Sequence, residues 1–342
     1  MTSRTYLVTG GCGFLGQYIV QAIHTHDPQA EIRVLDLKPR STLLKIESIP
    51  QVKLISGDLR HPYLFMAALA GVDTIIHSAG LVSFKKGDAE NVYQANKVAT
   101  ENLAQAALAC GCRNFLFISS ISAIGRRPGQ LSDETMMPDL AWKRQTDSYG
   151  YSKLGAEQVL QAYAHRMRSL IFNPSVILGP GSPRIAKVLQ GIRWLPVCPM
   201  ITTLNSFVDV RDVAKAVVLG LENGRTGERY IVTTENADMI SFMKMVMALM
   251  GKKAPVFPFP DRFLVPFDLM VRLLDRLKVN PGINQSEVFH VDKAYNTDKI
   301  KRELGWQPIF SLEQSLEDTI RPFKGSVQDE KSYEFPGVLR ET

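Results

Sequence analysis

The sequence is poor in cysteine and lacks any long uncharged apolar run. Its four cysteines are Cys12, Cys110, Cys112 and Cys198, and their spacing matches neither a zinc site nor a disulfide framework. We therefore expect no metal centre and a reducing, cytoplasmic location. No run of about 18 uncharged apolar residues is present, so a membrane-spanning helix is not expected. A charged and then apolar leader is also absent, so we expect no signal peptide.

Basic residues are in modest excess, but they are not gathered in one block. The formal net charge is +6, and no signature of an RNA- or DNA-binding module accompanies it. A solvated basic surface therefore explains the charge better than a nucleic-acid site. The scattered positive residues include Lys38, Arg40, Lys85, Lys86, Arg126, Arg127, Lys252 and Lys253.

What the sequence does contain is a regular alternation of apolar, β-rich runs with helical patterns. Because nearly every residue in the centre of these runs is apolar, we expect helices on both faces of the sheet. The pattern predicts a Rossmann-type, doubly wound parallel α/β sheet. The predicted strands are Thr5–Thr9, Ile32–Asp36, Val52–Ser56, Thr74–His77, Phe115–Ser119 and Leu170–Asn173. The predicted helices are Phe14–His26, Ala89–Ala109 and Tyr149–Arg166.

A glycine-rich turn joins the first predicted strand to the first predicted helix. Glycines permit a tight turn and a close backbone approach, and the helix N-terminus attracts a pyrophosphate. A strand, a glycine loop and a helix in this order predict a dinucleotide site, although one extra residue precedes the middle glycine. The expected contacts come from Gly10, Gly13, Phe14, Leu15 and Gly16.

Acidic residues follow the second and third predicted strands. Asp36 is placed to bind the adenosine ribose hydroxyls and to repel a 2′-phosphate, which favours NAD over NADP. Lys38 and Arg40 lie close to Asp36 in the chain, so NADP remains the alternative cofactor. Asp58 and Leu59 are placed to reach the adenine, with a simple turn cap as the alternative for Asp58.

The domain organisation changes after Asn173, where prolines and glycines cluster. We expect residues 1–173 to form the NAD-binding domain, to which later segments return. Residues 174–325 are expected to form mainly a substrate-binding or lid domain, and residues 326–342 a flexible tail. The predicted helices of this second region are Ile185–Gly191, Val210–Glu222, Ser241–Met250 and Arg262–Leu277.

A tyrosine and a lysine stand four residues apart in the third predicted helix. Residues at i and i+4 share one helix face, so Tyr149 and Lys153 are expected side by side. A nearby cation stabilises phenolate and lowers the pKa of a tyrosine, which is ordinarily about 10. The pair is therefore a candidate proton-transfer group. Tyr151 lies on another face, where packing or pocket lining fits it better.

These elements together resemble the extended short-chain dehydrogenase/reductase superfamily. The matching residues are Thr9–Gly16, Asp36, Asp58, Leu59, Asp73, His77, Ala79, Gly80, Asn96, Ser119, Ser120, Tyr149, Lys153 and the segment Lys301–Pro308. The resemblance implies that Tyr149 is the acid/base and that Lys153 assists it and binds the nicotinamide ribose. It also implies that Ser120 holds the substrate oxygen. Asn96 would support the site, with an ordinary helix-interior role as the alternative.

Further cofactor contacts follow from the same resemblance. It implies that Ser78, Ala79, Gly80 and Pro174 line the cofactor. His77 ends a buried strand, and this position favours a structural or cofactor-side role over a catalytic one. Family members commonly dimerise through two helices, so a homodimer is expected by analogy.

The substrate branch is suggested by two later stretches. Nucleotide-sugar enzymes of the superfamily carry an asparagine and a diphosphate-binding arginine where this chain has Val176 and Asn205. The chain is more similar to the 3β-hydroxysteroid dehydrogenase and dihydroflavonol-reductase-like branch. The apolar helix Arg262–Leu277 would pack as a lid, line an apolar substrate entrance or touch a membrane surface.

The sequence thus predicts an NAD(H)-dependent enzyme that interconverts an apolar secondary alcohol and a ketone. A steroid-like 3β-hydroxyl, or that of a long-chain substrate, is the expected group. The alternatives are a nucleotide-sugar epimerase or dehydratase and a non-catalytic NAD-binding sensor.

Overall fold

A computed structural model describes residues 4–84, 86–127, 129–182, 197–200, 202–259 and 292–324, together with Ile185. The predicted helices Ile185–Gly191 and Arg262–Leu277 and the predicted tail 326–342 lie outside the described residues, apart from Ile185. The β-strands are β1 Thr5–Thr9, β2 Glu31–Asp36, β3 Val52–Ser56, β4 Thr74–His77, β5 Asn114–Ile118, β6 Arg168–Pro174, β7 Val176–Leu178, β8 Cys198–Met200, β9 Leu204–Asp209, β10 Arg229–Val232, β11 Glu235–Asp238 and β12 Val256–Pro258.

Nine α-helices lie within the described residues. They are α1 Phe14–His26, α2 Ala89–Tyr93, α3 Ala99–Ala109, α4 Leu140–Thr146, α5 Ser148–Tyr163, α6 Val210–Asn223, α7 Met239–Leu249, α8 Asp298–Leu304 and α9 Leu312–Lys324. The predicted helix Ala89–Ala109 is not one regular helix, because a π-helical turn at Gln94–Val98 separates α2 from α3. The predicted helix Tyr149–Arg166 begins at Ser148 and ends at Tyr163.

Seven strands form one parallel sheet in the order β10-β6-β5-β4-β1-β2-β3. The chain order reverses between β1 and β4, and in such sheets ligands bind outside the carboxyl ends of the strands at the reversal. The doubly wound fold predicted from the apolar runs is therefore confirmed. β10, which comes from far along the chain, completes one edge of this sheet.

Apolar side chains pack on both faces of the large sheet. One face is covered by α1, α6 and α8, with Trp306 fully buried and its Nε1 donating to the Asp212 carbonyl at 2.9 Å. The other face is covered by α3 and α5. Burial on both faces explains why the strands are apolar throughout instead of alternating.

A smaller layer follows β6 in the chain. β7 pairs in parallel with β9, which pairs antiparallel with β11, while β8 and β12 form a separate parallel pair. Their core includes side chains of α7 and α9, and the rings of Phe207 and Phe242 stack with centroids 4.3 Å apart. No helix among the described residues is long and apolar enough to cross a membrane.

Candidate active site

The turn between β1 and α1 leaves no room for a side chain at Gly10, and none at Gly16 where the helix begins. Gly10 has φ of +67°, in the left-handed region that favours glycine, and a Cβ there would lie 2.7 Å from the Cα of Ala79. A Cβ on Gly16 would overlap the carbonyl oxygen of Gly10. Glycine at these two positions therefore lets the turn pack closely on the segment after β4 and on the start of α1.

The start of α1 offers backbone donors beside this turn. Gly13 is the N-cap and, having no side chain, makes no side-chain capping bond. The amides of the first turn, which includes Phe14 and Leu15, carry the positive end of the helix dipole. A pyrophosphate fits such a cradle, so these residues fit the dinucleotide that the sequence predicts.

Asp36 lies at the end of β2, beside the glycine turn. Its Oδ2 accepts a hydrogen bond from the backbone N of Cys12 at 3.2 Å, and its Oδ1 accepts one from the N of Lys38 at 3.4 Å. The half-buried carboxylate is thus fixed at the edge of the cradle, where a ribose hydroxyl would approach.

Asp58 follows β3 and bonds to its own turn. Its Oδ1 accepts from the backbone N of Arg60 at 3.0 Å, and its Oδ2 lies 2.5 Å from Nη2 of Arg60. The Arg60 guanidinium lowers the pKa of Asp58. These contacts agree with the alternative prediction for Asp58, in which it caps its own turn. The adenine contact expected from Asp58 and the buried Leu59 stays a prediction.

His77 is a buried, neutral link between two parts of the site. Its Nδ1 lies 2.6 Å from Oγ1 of Thr9, which also accepts from the N of Ala79. Its Nε2 lies 2.9 Å from Oγ1 of Thr100, which donates to the Asn96 carbonyl. Burial lowers the pKa of His77 to about 3. The neutral ring therefore accepts from Thr9 and donates to Thr100, which is a structural arrangement.

The segment after β4 is held close to α5. Asn96, 1 % exposed in the π-helical turn, accepts at Oδ1 from the N of Leu81 at 2.7 Å. Its Nδ2 donates to the Leu81 carbonyl and to Oγ of Ser152 at 3.0 Å. A Cβ on Gly80 would lie 3.2 Å from Nζ of Lys153. Glycine at position 80 therefore allows the lysine to approach this segment, which Ser78 begins.

Lys153 places a buried cation at the end of β5. Its side chain, on α5, donates from Nζ to the Ile118 carbonyl at 2.8 Å and lies 4.7 Å from the centroid of the Phe117 ring. Burial lowers the pKa of Lys153 to about 8. The ammonium group therefore lies at the Ile118 carbonyl, and Ile118 precedes Ser120 by two residues in the chain. With this pKa, Lys153 remains mostly protonated at pH 7.

Tyr149 lies one turn before Lys153 on α5 and is 8 % exposed. The ring of Phe84 meets it edge to face, with centroids 5.6 Å apart. Ser120 follows β5 and accepts at Oγ from the N of Ser122 at 3.1 Å, in a turn that packs against α5. Helix α5 thus carries the tyrosine and the lysine, and it packs against the turn that begins at the serine. Tyr151 instead stacks on Tyr93.

Three residues near this centre escaped the sequence reasoning. Phe84 carries no motif, and no sequence signal points to it. Glu157 lies four residues after Lys153, so the i, i+4 spacing was the available signal. Arg229, its partner in an ion pair of 3.2 Å, comes from β10 and has no local signal.

The residues that the sequence predicts next to the cofactor and the substrate after Asn173 lie at the end of β6 and in the smaller layer. Pro174 ends β6 and is buried, while Val176 begins β7. Asn205 lies half-buried on β9 and forms a bridge to Lys293. Among the described residues, no group of three His, Cys, Asp or Glu side chains is arranged to hold a metal ion.

A family model described as the NAD dependent epimerase/dehydratase family matches residues 6–233. The chain belongs to this family. It is also a member of the extended short-chain dehydrogenase/reductase superfamily, so the family predicted from the motifs is confirmed. Membership of the epimerase/dehydratase family makes the chain an enzyme of the oxidoreductase type with a nicotinamide cofactor.

Relatives of this epimerase/dehydratase chain cover nearly its whole length. The sterol demethylase protein B of Methylococcus capsulatus is 26% identical over 330 residues, which span 94% of this chain and 98% of that protein. The human 3 beta-hydroxysteroid dehydrogenase type 7 is 28% identical over 351 residues, 92% of this chain and 94% of that protein. The dTDP-glucose 4,6-dehydratase of Bacillus anthracis, solved with NAD, shares the fold with a TM-score of 0.71 at 20% identity, covering 94% and 97% of the two chains.

Proposed function

We propose that the protein is an NAD(H)-dependent oxidoreductase that interconverts an apolar secondary alcohol and its ketone, with a 3β-hydroxysterol as the leading substrate class. The observation that carries this proposal is the apolar character of the segment after β4, whose Phe84 packs on Tyr149. Phe84 packs edge to face on the tyrosine ring. Leu81 and Val82, in the segment held to α5, leave 39% and 48% of their surface exposed. Such a surface favours a hydrocarbon skeleton over a sugar.

The charges of the smaller layer also argue against a nucleotide sugar. A buried diphosphate needs charge-assisted donors, and Asn205 occupies the position at which nucleotide-sugar enzymes of the superfamily carry an arginine. Arg211, which follows in the chain, binds Asp209 and Asp318 at 2.8 Å each. Its guanidinium lies 3.4 Å from the centroid of the Phe310 ring. This arginine is therefore occupied by structural contacts.

In the proposed oxidation, the substrate hydroxyl lies between Ser120 and Tyr149. Tyr149, as phenolate, accepts the hydroxyl proton, and Oγ of Ser120 holds the oxygen. Lys153, a cation in a site from which water is largely excluded, stabilises the phenolate electrostatically. The bound nicotinamide supplies the acceptor for the hydride.

For the cofactor we propose NAD in preference to NADP. A 2′-phosphate on the adenosine ribose would approach the Asp36 carboxylate, and two like charges at close range repel. Titration of the protein with each cofactor tests this choice. Tighter binding of NADP than of NAD contradicts it.

A substrate screen with a matched variant tests the reaction. NADH formation is followed with 3β-hydroxysterols, and turnover is followed with UDP- and dTDP-sugars. We expect activity with the sterols and not with the sugars. Tyr149→Phe should retain NAD binding while losing about 10²–10⁴-fold in turnover. Activity with the sugars alone points to an epimerase or dehydratase, and near-normal turnover of Tyr149→Phe contradicts the mechanism.

The assembly and location are proposals of the same kind. We propose a homodimer, supported by the resemblance, which light scattering of the purified protein tests. The four cysteines are free, and Cys12, Cys112 and Cys198 are buried. Free thiols support a reducing, cytoplasmic location, which fractionation of the source cells tests.

A further inference from the structure

A carboxylate is buried one helical turn beyond Lys153. Glu157, on α5, is 0% exposed. Its Oε1 accepts from Oγ of Ser119 and from Nδ2 of Asn173 at 2.6 Å, and its Oε2 lies 3.2 Å from Nη1 of Arg229. Side chains of this kind are rarely buried unless they are paired. The proposed mechanism assigns no role to this carboxylate.

The contacts of Glu157 are those of an ionised carboxylate. Burial raises the pKa of Glu157, but the neighbouring Ser119, Arg229 and Asn173 oppose that rise. The guanidinium stays protonated in proteins, and it lies opposite the carboxylate. Glu157 and Arg229 are therefore an ion pair inside the sheet–helix interface.

The pair is connected to the turn that carries Ser120. Asn173, 0% exposed at the end of β6, donates from the same Nδ2 to Glu157 and to the Ser120 carbonyl at 2.9 Å. The next carbonyl of the turn, that of Ile121, accepts from the Tyr295 hydroxyl at 3.2 Å. Side chains from two distant parts of the chain thus fix the carbonyl of the serine and the carbonyl that follows it.

Arg229 is itself held in place by the loop before α4. Its Nε donates to the Glu134 carbonyl at 2.6 Å, and its Nη2 lies 3.5 Å from the Met136 carbonyl. These bonds leave the guanidinium little freedom to follow Glu157 elsewhere. The carboxylate is consequently fixed relative to both the serine turn and Lys153.

Among the described residues, few other charged groups lie near this pair. On α5 there are Lys153, one turn before Glu157, and the proposed acid/base Tyr149, two turns before it. The loop before α4 contributes Asp133, whose pKa is lowered by hydrogen bonds from Thr135 and by the Arg229 charge, and Glu134, whose Oε1 accepts from the N of Ile231 at 2.9 Å. His77, at the end of β4, is neutral. The Glu157 charge favours the protonated form of Lys153, whereas burial disfavours that form.

We propose that Glu157, paired with Arg229, is a positioning residue that fixes the serine turn and keeps Lys153 charged beside Tyr149. This inference rests on the proposed function. A charged lysine stabilises phenolate, so loss of the Glu157 charge weakens that stabilisation at a distance. Glu157 itself touches neither substrate nor cofactor in this mechanism.

The pH profile of alcohol oxidation tests the proposal. Glu157→Gln keeps the shape of the side chain and removes its charge. We expect the rising limb of kcat/KM to move to higher pH by about one unit, with about a tenfold loss at pH 7. Glu134→Gln is the matched control, since it removes a second buried carboxylate that touches Arg229 only through its backbone carbonyl. In Glu134→Gln, the rising limb of kcat/KM should stay at the same pH as in the wild type.

A second readout needs neither substrate nor cofactor. The tyrosinate absorbance titration of the protein minus that of its Tyr149→Phe variant gives the ionisation midpoint of Tyr149. We expect this midpoint to rise in Glu157→Gln and not in Glu134→Gln. A wild type that oxidises no apolar alcohol contradicts the proposed function, while this titration still tests the role of Glu157.

A folding defect does not remove the test. If Glu157→Gln folds poorly, Glu157→Gln combined with Arg229→Gln removes both charges and leaves no unpaired guanidinium. The same alkaline shift is expected in this double variant. An unshifted titration midpoint in the folded variants, or an equal shift in Glu134→Gln, overturns the proposal and leaves Glu157 with a purely structural role.

Discussion

Replacement of Gly10 by alanine tests whether the glycine turn is a cradle shaped by close backbone contacts. With φ of +67°, an alanine at this position adopts a left-handed conformation, which costs about 1–2 kcal/mol. The new Cβ would also lie 2.7 Å from Cα and 2.8 Å from N of Ala79. Carbon atoms prefer separations of about 3.5–4.0 Å, so the backbone after β4 has to move by about 1 Å.

Gly71 supplies the matched control. Its φ is +72°, and a Cβ there would meet nothing within 4 Å. Gly71→Ala therefore carries the conformational cost without the collision. We expect it to lose about 1–2 kcal/mol of unfolding free energy and to bind NAD as the wild type does. Gly10→Ala should lose more and should raise the Kd for NAD at least about tenfold, a change of about 1.4 kcal/mol.

Urea unfolding and calorimetric titration with NAD measure the two quantities. The comparison is made between the two alanine variants, because the φ angles of the two positions, +67° and +72°, are nearly equal. Equal losses of stability, together with a wild-type Kd in Gly10→Ala, would refute the reasoning. In that case the contact with Ala79 would have no part in shaping the cofactor site.

Two other perturbations follow from buried charges. Lys153→Met should abolish most turnover, measured as NADH formation, without lowering the Tm, because it removes an ammonium whose charged form is disfavoured by burial; a clear fall in Tm would contradict this. Burial raises the pKa of Asp212 from 3.8 to about 6. Between these two values the folded state keeps a proton that the unfolded state has lost, so the unfolding free energy of the wild type falls as the pH rises from about 4 to about 6. Asp212→Asn should therefore gain in unfolding free energy relative to the wild type between about pH 4 and 6, by up to about 1.4 kcal/mol per pH unit; a difference independent of pH in urea titrations would contradict it.

Local patterns predicted most of the large sheet. The predicted strand Thr5–Thr9 and helix Phe14–His26 are found with the same bounds, because their apolar spacing and the glycine turn between them are local properties. The predicted helix Ala89–Ala109 differs from the structure. The π-helical turn at Gln94–Val98, which carries the buried amide of Asn96, interrupts it. Nothing in the residue spacing marks that turn.

The candidate site also combines local features, which the sequence predicted, with long-range contacts, which it did not predict. The i, i+4 spacing of Tyr149 and Lys153 was sufficient to predict one shared helix face. The contact of Phe84 with Tyr149 joins residues 65 positions apart, and no periodic pattern extends over such a distance. The turn bonds of Asp58 with Arg60 are local, but the choice between them and an adenine contact depends on the surrounding fold.

The sequence by itself determined most of the strand and helix pattern, the glycine turn, and the shared helix face of Tyr149 and Lys153. Each of these depends on residues close together in the chain, where backbone periodicity relates spacing to geometry. Only the tertiary structure decided that Arg229 on β10 pairs with Glu157 and that Asn173 links this pair to the Ser120 turn. Those contacts depend on which strand becomes the neighbour of β6, and burial of the whole sheet between its helix layers fixes that choice.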